Sequence, residues 1–400
     1  MAKKPAGNNQ YLKVLNQAAV MALIRLNGKL SRIELAELTG LSPTACGSIT
    51  RQLIHEGFLH EIGQGESTGG RKPVMLEIKP NSYYAAGFDI DMNQLQMVIA
   101  DITGEILVEK NLEYSLGISV EKAIGLVYEG ISGIIKEKCL RRDRFLGCGL
   151  SIPGLVDRRT NQVVMAPNLS WSHVDLRTRA EDILKMPVYI ENEAMCSAIC
   201  ESWIGKCKNI GSFVCINVES GIGAGIFIGG SVYHGFSGSA GEIGHLIIRE
   251  NGRPCGCGNK GCLETYASTR YMLQEVNRKI EEGYFSKIIK PGTRTLLWNQ
   301  LVEAAGNGDS LCRDTLLQGA EFLGHAVAFL INTINPEAII LGKSFIQYAH
   351  IVMETLVRTA REKALKYPGS GVKILTSDFG MNSSALGAAM IPIRRVFGKQ

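Results

Sequence analysis

His245 and the run Pro254-Cys255-Gly256-Cys257-Gly258-Asn259-Lys260-Gly261-Cys262 bring one imidazole and three thiols together, with the histidine ten residues ahead of the first cysteine. Thiolates and imidazole are the ligands of a tetrahedral zinc site with no open position, and glycines at 256, 258 and 261 let the backbone turn sharply enough for three sulfurs to converge. A thiol that is merely buried sits on an apolar stripe as a small hydrophobe. This run is polar and glycine-rich, so His245, Cys255, Cys257 and Cys262 read as ligands of one structural zinc per chain, in a loop over 245–262.

The elements that must position this loop belong to a chain of 400 residues, 45% apolar, enough for two or three domains with real cores. Eleven cysteines form no regular framework, and neither a cleavable leader nor an apolar run of membrane length is visible. A cytoplasmic protein without a membrane partner is the expectation. The net charge of +5 is concentrated: residues 1–80 hold ten Lys/Arg against six Asp/Glu, which points that segment alone toward a polyanion.

Residues 1–80 read as a winged helix-turn-helix. An amphipathic helix over Gln10–Leu26 closes at Asn27-Gly28, Ser31-Arg32-Ile33-Glu34 forms a capping box opening a short helix to Leu38, and Thr39-Gly40-Leu41 supplies the turn. Ser42 caps and Pro43 opens a third helix, in which Cys46, Ile49 and Leu53 recur at i, i+3 and i+7 and face the core. Strands over Phe58–Ile62 and Val74–Ile78 flank a polar loop, 63–73, that ends in Arg71-Lys72-Pro73 and forms the wing. Three short helices also occur in bundles that never meet DNA; the wing and the local charge favour DNA. The third helix of such a module enters the major groove and the second lies over the backbone. Candidate DNA contacts are therefore Ser31 and Arg32 on the second helix, Ser42, Thr44, Gly47, Ser48 and Arg51 on the third, and Arg71 and Lys72 in the wing. Modules of this kind act as dimers on two half-sites.

Beyond residue 80 one pattern occurs twice. Strands over Tyr83–Asp89, Leu95–Asp101 and Ile106–Tyr114 precede a helix over Ser119–Glu137; strands over Phe213–Val218, Ala224–Ile228 and a third after Gly229-Gly230 precede a helix over Thr269–Glu282. Two α/β lobes facing a ligand cleft follow, about 81–200 with the C-terminal helix and about 201–385. A duplicated α/β unit with another role carries the same pattern. Specificity comes from Gly241-Glu242-Ile243-Gly244-His245, the cysteine cluster, Cys262-Leu263-Glu264, Glu191-Asn192-Glu193-Ala194 and Asn335-Pro336 ahead of Ile339-Ile340-Leu341-Gly342. With the winged helix, these resemble the ROK family of sugar repressors and sugar kinases over essentially the whole chain. Within it, Leu41-Ser42-Pro43-Thr44, the wing over 66–73 and Pro167-Asn168-Leu169-Ser170-Trp171 are most similar to the xylose repressors of Gram-positive bacteria. The resemblance implies a two-lobed actin-like ATPase fold, a duplicated ribonuclease-H-like α/β unit.

It also implies a sugar site in which Asn192, Glu193, Glu242, His245 and Glu264 face sugar hydroxyls, since carboxylates accept from hydroxyls and asparagine both accepts and donates. In the family's kinases a Glu-Asn-Asp triplet supplies the base that deprotonates the attacking hydroxyl, and Glu193 replaces that aspartate here. One added methylene displaces a carboxylate by about an ångström, an error that costs about a hundredfold in rate. The kinases also place Gly-Gly-Thr after an aspartate in the first hairpin, where this chain has Asp89-Ile90-Asp91-Met92-Asn93, bulkier and more acidic. The second hairpin keeps Gly221-Ile222-Gly223-Ala224-Gly225, with Glu219 adding negative charge beside it. This is a kinase cleft without its ATP half, and no catalytic residue is assigned. The expected protein is not an enzyme but a sugar-responsive repressor of sugar genes, xylose or another aldose being the inducer. It binds a palindromic operator as a homodimer, or as paired dimers, and is released when sugar occupies the cleft. Zinc stiffens the pocket wall. The alternative is a sugar kinase with a DNA-binding arm, and the loss of both base and phosphate turn argues against it.

Overall fold

The computed structural model describes residues 9–65, 72–114, 117–157, 159–160, 162–286, 288–289 and 295–398. Helix α1 (Asn9–Asn27), strand β1 (Leu30–Ser31), helices α2 (Arg32–Thr39) and α3 (Pro43–Glu56), and strands β2 (Leu59–Gln64) and β3 (Val74–Ile78) build the N-terminal module. Its breaks are dictated locally. Ser31 and Glu34 form the expected capping box at the start of α2, and Gly40 ends that helix at φ 69°, a left-handed angle that glycine adopts without strain. Ser42 caps α3, Pro43 occupies its first turn and Gly57 closes it. Cys46, Ile49 and Leu53 are buried as their spacing predicts, as are Val20, Met21, Ile24, Leu35 and Leu76. The three strands order β1-β3-β2, antiparallel, with Leu30 opposite Leu76 and Leu59 opposite Ile78.

The chain continues through β4 (Tyr84–Ile90), β5 (Gln94–Asp101), β6 (Ile106–Glu113), α4 (Val120–Glu137), β7 (Phe145–Ile152), β8 (Leu155–Asp157), β9 (Gln162–Ala166), β10 (Trp171–Val174), α5 (Leu176–Leu184), β11 (Val188–Asn192) and α6 (Glu193–Trp203). There follow β12 (Phe213–Val218), β13 (Ile222–Ile228), β14 (Ser231–Val232), α7 (Glu264–Ala267), α8 (Thr269–Glu281), α9 (Trp298–Gly306) and α10 (Ser310–Ile334). The last elements are β15 (Ala338–Lys343), α11 (Phe345–Lys363), α12 (Lys366–Gly371), β16 (Lys373–Thr376) and α13 (Ser383–Val396).

Two five-stranded sheets, β11-β7-β4-β5-β6 and β14-β13-β12-β15-β16, share one order: the first strand of each repeat is central, with strands two and three on one side and four and five on the other. The duplicated α/β unit is thus present. In the second sheet Phe213 stands opposite Phe227 in an antiparallel pair and Ala338 in a parallel one. The small antiparallel sheet β10-β9-β8 has no counterpart in the sequence reading.

Contacts gather the chain into two units, Met1–Leu150 with Asp175–Ile190 and Ala388–Gln400, and Ser151–Val174 with Glu191–Gly387. The N-terminal module groups with the first sheet because the last carbonyl of α3, that of Glu56, accepts from the Tyr83 hydroxyl at 2.9 Å and from Arg144 Nη1 at 2.8 Å. Phe58 stacks on Tyr83 with ring centroids 4.2 Å apart. Helix α6 groups with the second sheet rather than with the first lobe, where the sequence reading set it. It lies so close to β13 that a Cβ on Gly225 would stand 2.1 Å from the Ala194 carbonyl oxygen. Among the described residues no helix is long and apolar enough to cross a membrane.

Candidate functional site

On α3, Ser42, Thr44, Ser48 and Arg51 are exposed and Gly47 is half-buried, so the predicted outward face is outward. Arg51 is aimed by its own helix, its Nε donating to the Gly47 carbonyl at 3.1 Å. Two expectations on α2 change. Ser31 is 2% exposed and its hydroxyl accepts from the Glu34 N–H, so it shapes the helix and does not face outward. Arg32 turns into the module, bonded to Thr50 Oγ1 at 3.3 Å and to Glu61 Oε1 at 2.8 Å, and so holds α2, α3 and β2 together. In the wing Lys72 is exposed, and Arg71 lies outside the described residues.

The second unit carries the thiols. One ligand atom each from His245, Cys255, Cys257 and Cys262 lies within 4.8 Å of the others, an arrangement suited to a metal ion. Cys255 Sγ is 3.7 Å from His245 Nδ1, and Cys257 Sγ is 3.7 Å from Cys262 Sγ. The loop closes through the Cys255 N–H to the Asn259 carbonyl at 2.9 Å, and it admits no side chain at Gly261, where a Cβ would meet the Arg249 oxygen at 1.7 Å. Arg253 braces it from behind, bonded to the Thr265 carbonyl and to Glu275 and lying over the Tyr266 ring. Burial, with the neighbouring thiols, pushes the Cys262 thiol up to about 12, and burial also raises Cys255. The Asn259 N–H holds Cys257 below its ordinary value. Three adjoining thiols do not all ionise by themselves; a divalent cation makes them thiolates and expels their protons.

His245 serves two neighbours at once. Its Nδ1 faces the thiols, while Nε2 is 3.9 Å from Glu242 Oε2, beyond hydrogen-bond length. Glu242 to His245 is one tight 3₁₀ turn rather than an α-helix, and residues three apart still share a face there. Glycines make the turn possible by lying against β13: a Cβ on Gly241 would reach 1.8 Å from the Ala224 oxygen, and one on Gly244 2.3 Å from that of Ile222. Glu264, at the start of α7, accepts from the Ile222 N–H at 3.4 Å, and a Cβ on Gly221 would come 2.9 Å from its Oε2. Partial burial raises the Glu242 carboxyl above its ordinary range; His245 offsets part of this and Glu264 adds to it. Glu242, His245 and Glu264 are therefore gathered about the first residues of β13.

Asn192 and Glu193 open α6. Asn192 Oδ1 caps the helix, accepting from the Ala194 and Met195 N–H groups, while its Nδ2 donates to the Gly154 carbonyl at 3.0 Å. The Glu193 carbonyl accepts from Ser197 and Ser384. Helix α6 meets β13 through Ala194, whose Cβ would lie 3.4 Å from one on Gly223. This revises the glycine run of the second hairpin. Strand β13 already begins at Ile222, and Gly223 and Gly225 serve the approach of α6. Three supports escaped the sequence reading: the Gly154 carbonyl, the brace Arg253, and a pair between Glu191 and His234 at 2.8 Å. Only the last had a signal, Glu191 being adjacent to the triplet's asparagine.

At the first hairpin Asp91 folds back on its own turn, its carboxylate accepting from the Met92 N–H at 2.7 Å. Burial, with Asp91 and Asp89 close by, raises the phenol of Tyr114, whose hydroxyl bonds to the Asp91 carbonyl. Two carboxylates thus share the turn. Glu219, expected to add bare negative charge at the second hairpin, lies 3.9 Å from the buried ammonium of Lys343, which also donates to the Met381 carbonyl.

A winged helix-turn-helix joined to a duplicated, sugar-kinase-like α/β fold with a His-Cys₃ cluster defines a class of sugar-linked regulators. The family described as ROK matches residues 85–395, and the winged helix-turn-helix DNA-binding family matches residues 16–59. The chain belongs to the ROK family. It is 30% identical over 388 residues to the xylose repressor of Caldicellulosiruptor bescii, covering 97% of each chain, and 31% identical over 385 residues to that of Bacillus subtilis (strain 168), covering 96% of each. A solved ROK family transcriptional regulator, a homolog of the Escherichia coli MLC protein, superposes with a TM-score of 0.84 at 27% identity over 97% of both chains.

Proposed function

We propose that this protein is a sugar-responsive transcriptional repressor that binds a palindromic operator as a homodimer in the cytoplasm and releases it when an aldose, xylose first among the candidates, is bound. The observation that carries the reading is the presence in one chain of an outward hydroxyl-and-arginine face on α3 and of carboxylates gathered with His245 beside a His-Cys₃ loop suited to a metal ion. Similarity to xylose repressors over nearly the full length supports both halves. Thr44, Ser48, Arg51 and the wing's Arg71 and Lys72 contact DNA. Asn192, Glu193, Glu242, His245 and Glu264 contact sugar hydroxyls, the carboxylates as acceptors. Zinc is the metal this donor set suits: three thiols and an imidazole gather within 4.8 Å of one another, and the 3.7 Å between Cys257 Sγ and Cys262 Sγ is close to the edge of a tetrahedron whose metal–sulfur bonds are about 2.3 Å. Bound there, it neutralises the thiolates and fixes the His245 ring, and the protein's own turn then directs Nε2 toward Glu242.

The protein is a regulator and not a sugar kinase. Carboxylates occupy the turn where a kinase needs open backbone amides for a phosphate, and Glu193 stands where the family's kinases have aspartate. A test selects an operator from random duplex DNA and then titrates the complex with a panel of pentoses and hexoses. Release by one aldose at concentrations that leave a control DNA-binding protein in place is the expected result. An operator affinity indifferent to every aldose would sink the reading.

A further inference from the structure

We propose that Glu191 and His234 form a clasp that positions the sugar-contacting residues, an inference that rests on the sugar-responsive reading above. One carboxylate serves two partners: Glu191 Oε1 accepts the Asn192 N–H at 3.0 Å, and Oε2 lies 2.8 Å from His234 Nε2. Both side chains are enclosed, 10% and 13% exposed. The clasp thus joins the strand end that leads into Asn192 and Glu193 to the segment that leads into Glu242.

On the His234 side little freedom remains. The His234 carbonyl accepts from the Ala240 N–H at 3.1 Å, which closes the loop on itself. Gly238 lies so near β8 that a Cβ would stand 2.6 Å from the Val156 oxygen, and Gly241 sits hard against Ala224. The loop's tip is not what holds it, since Phe236 is 96% exposed. Its base is, where the Glu191–His234 pair and the contacts of Gly238 and Gly241 together set the segment that leads into Glu242. A buried carboxylate and imidazole gain little net stability, because the loss of water offsets their attraction; such pairs are better suited to selecting one arrangement among several. Glu191 and His234 are positioning residues here, acting on the sugar through Asn192, Glu193 and Glu242.

The test measures aldose binding by calorimetry on the full-length protein and on Glu191→Ala, His234→Ala, the double variant and Glu191→Gln, with metal content and operator affinity read on each. Either alanine is expected to weaken the sugar by roughly 10- to 100-fold, the usual effect of removing a group that orients a ligand residue, with metal and operator binding intact. The double variant should lose no more than either single one, because a shared contact is lost only once. Glu191→Gln keeps an acceptor for Asn192 and an amide for His234 and should restore most of the loss. A loss confined to Glu191→Ala, additive losses, or collapse of metal and operator binding would each overturn the clasp. If the wild type binds sugar and the variants match it, the clasp alone falls; if the wild type binds no aldose, the sugar-responsive reading falls and the clasp with it.

Discussion

On the reading proposed, Glu193 and Arg51 are single side chains whose removal should separate the two halves of the function. Glu193 begins α6 with its carbonyl tied to Ser197 and Ser384, so truncating the side chain beyond Cβ leaves the helix start intact. Losing a charged acceptor for a sugar hydroxyl typically costs about 1.5 to 3 kcal/mol, or roughly ten- to a hundredfold in affinity. Glu193→Ala should therefore bind its operator normally and resist induction, and normal release at ordinary sugar concentrations would take Glu193 out of the site. Arg51→Ala should do the reverse, weakening the operator while leaving sugar affinity and folding unchanged. If Arg51 meets a phosphate, the slope of affinity against salt falls by about 1 for all sequences; if it meets a base, preference also relaxes at one position. Equal operator affinity in mobility shifts would remove the arginine from the interface. The outward placement of Arg51 was legible from the spacing of the buried Cys46, Ile49 and Leu53. The surroundings of Ser31 and Arg32 were not legible, because a sequence shows that a serine and an arginine open a helix but not that Ser31 is buried and that Thr50 and Glu61 stand beside Arg32.

Elements were legible wherever a local device ends them. The capping box of α2, Ser42 and Pro43 at the start of α3, and Ser119 before α4 all stand where the residues predicted. The short sheet β8–β10 was not legible, since strands of three to five residues leave no periodicity to read. Nor was the work of Gly223 and Gly225, because a glycine needed for helix approach and one needed for a phosphate look alike in sequence. The metal loop, by contrast, was visible in full, and its prediction belongs at this scale. Its glycines and the Arg253 brace shape the backbone, but burial pushes Cys262 up to about 12, so without a cation that thiol stays protonated. Cys257→Ala should lose the ion, which elemental analysis would read as a fall from about one metal per chain, and with it the fixed His245 ring and the sugar response. Full sugar-dependent release by a verified metal-free variant would leave the loop without the role assigned to it. Because metal binding releases protons, affinity for the ion should fall as pH is lowered.

Across the whole molecule, two sheets of identical strand order have been put to unequal use. The first sheet carries the DNA module, locked on through the Glu56 carbonyl at the end of α3 by Tyr83 and Arg144. The last turn of α3 is thus tied to this sheet, and on the reading proposed the sheet serves the DNA module and not a nucleotide. Its hairpin turn agrees, with the Asp91 carboxylate closed on Met92 and Asp89 nearby. The second sheet holds the metal loop and, on the reading proposed, the sugar. On the reading proposed, a kinase of this architecture needs amides open to phosphate at the first hairpin and a base placed to within an ångström, and the Asp91 turn and Glu193 depart from both requirements. Mixed with Mg-ATP and any common aldose, including the one that releases its operator, the protein should show no ADP production above background in a coupled assay. The same preparation should bind that aldose calorimetrically, which shows the site to be occupied while no phosphoryl transfer occurs. Robust turnover would mean that Glu193 still reaches the sugar as a base and that a phosphate is held without the glycine turn, and the chain would then be a kinase with a DNA-binding arm.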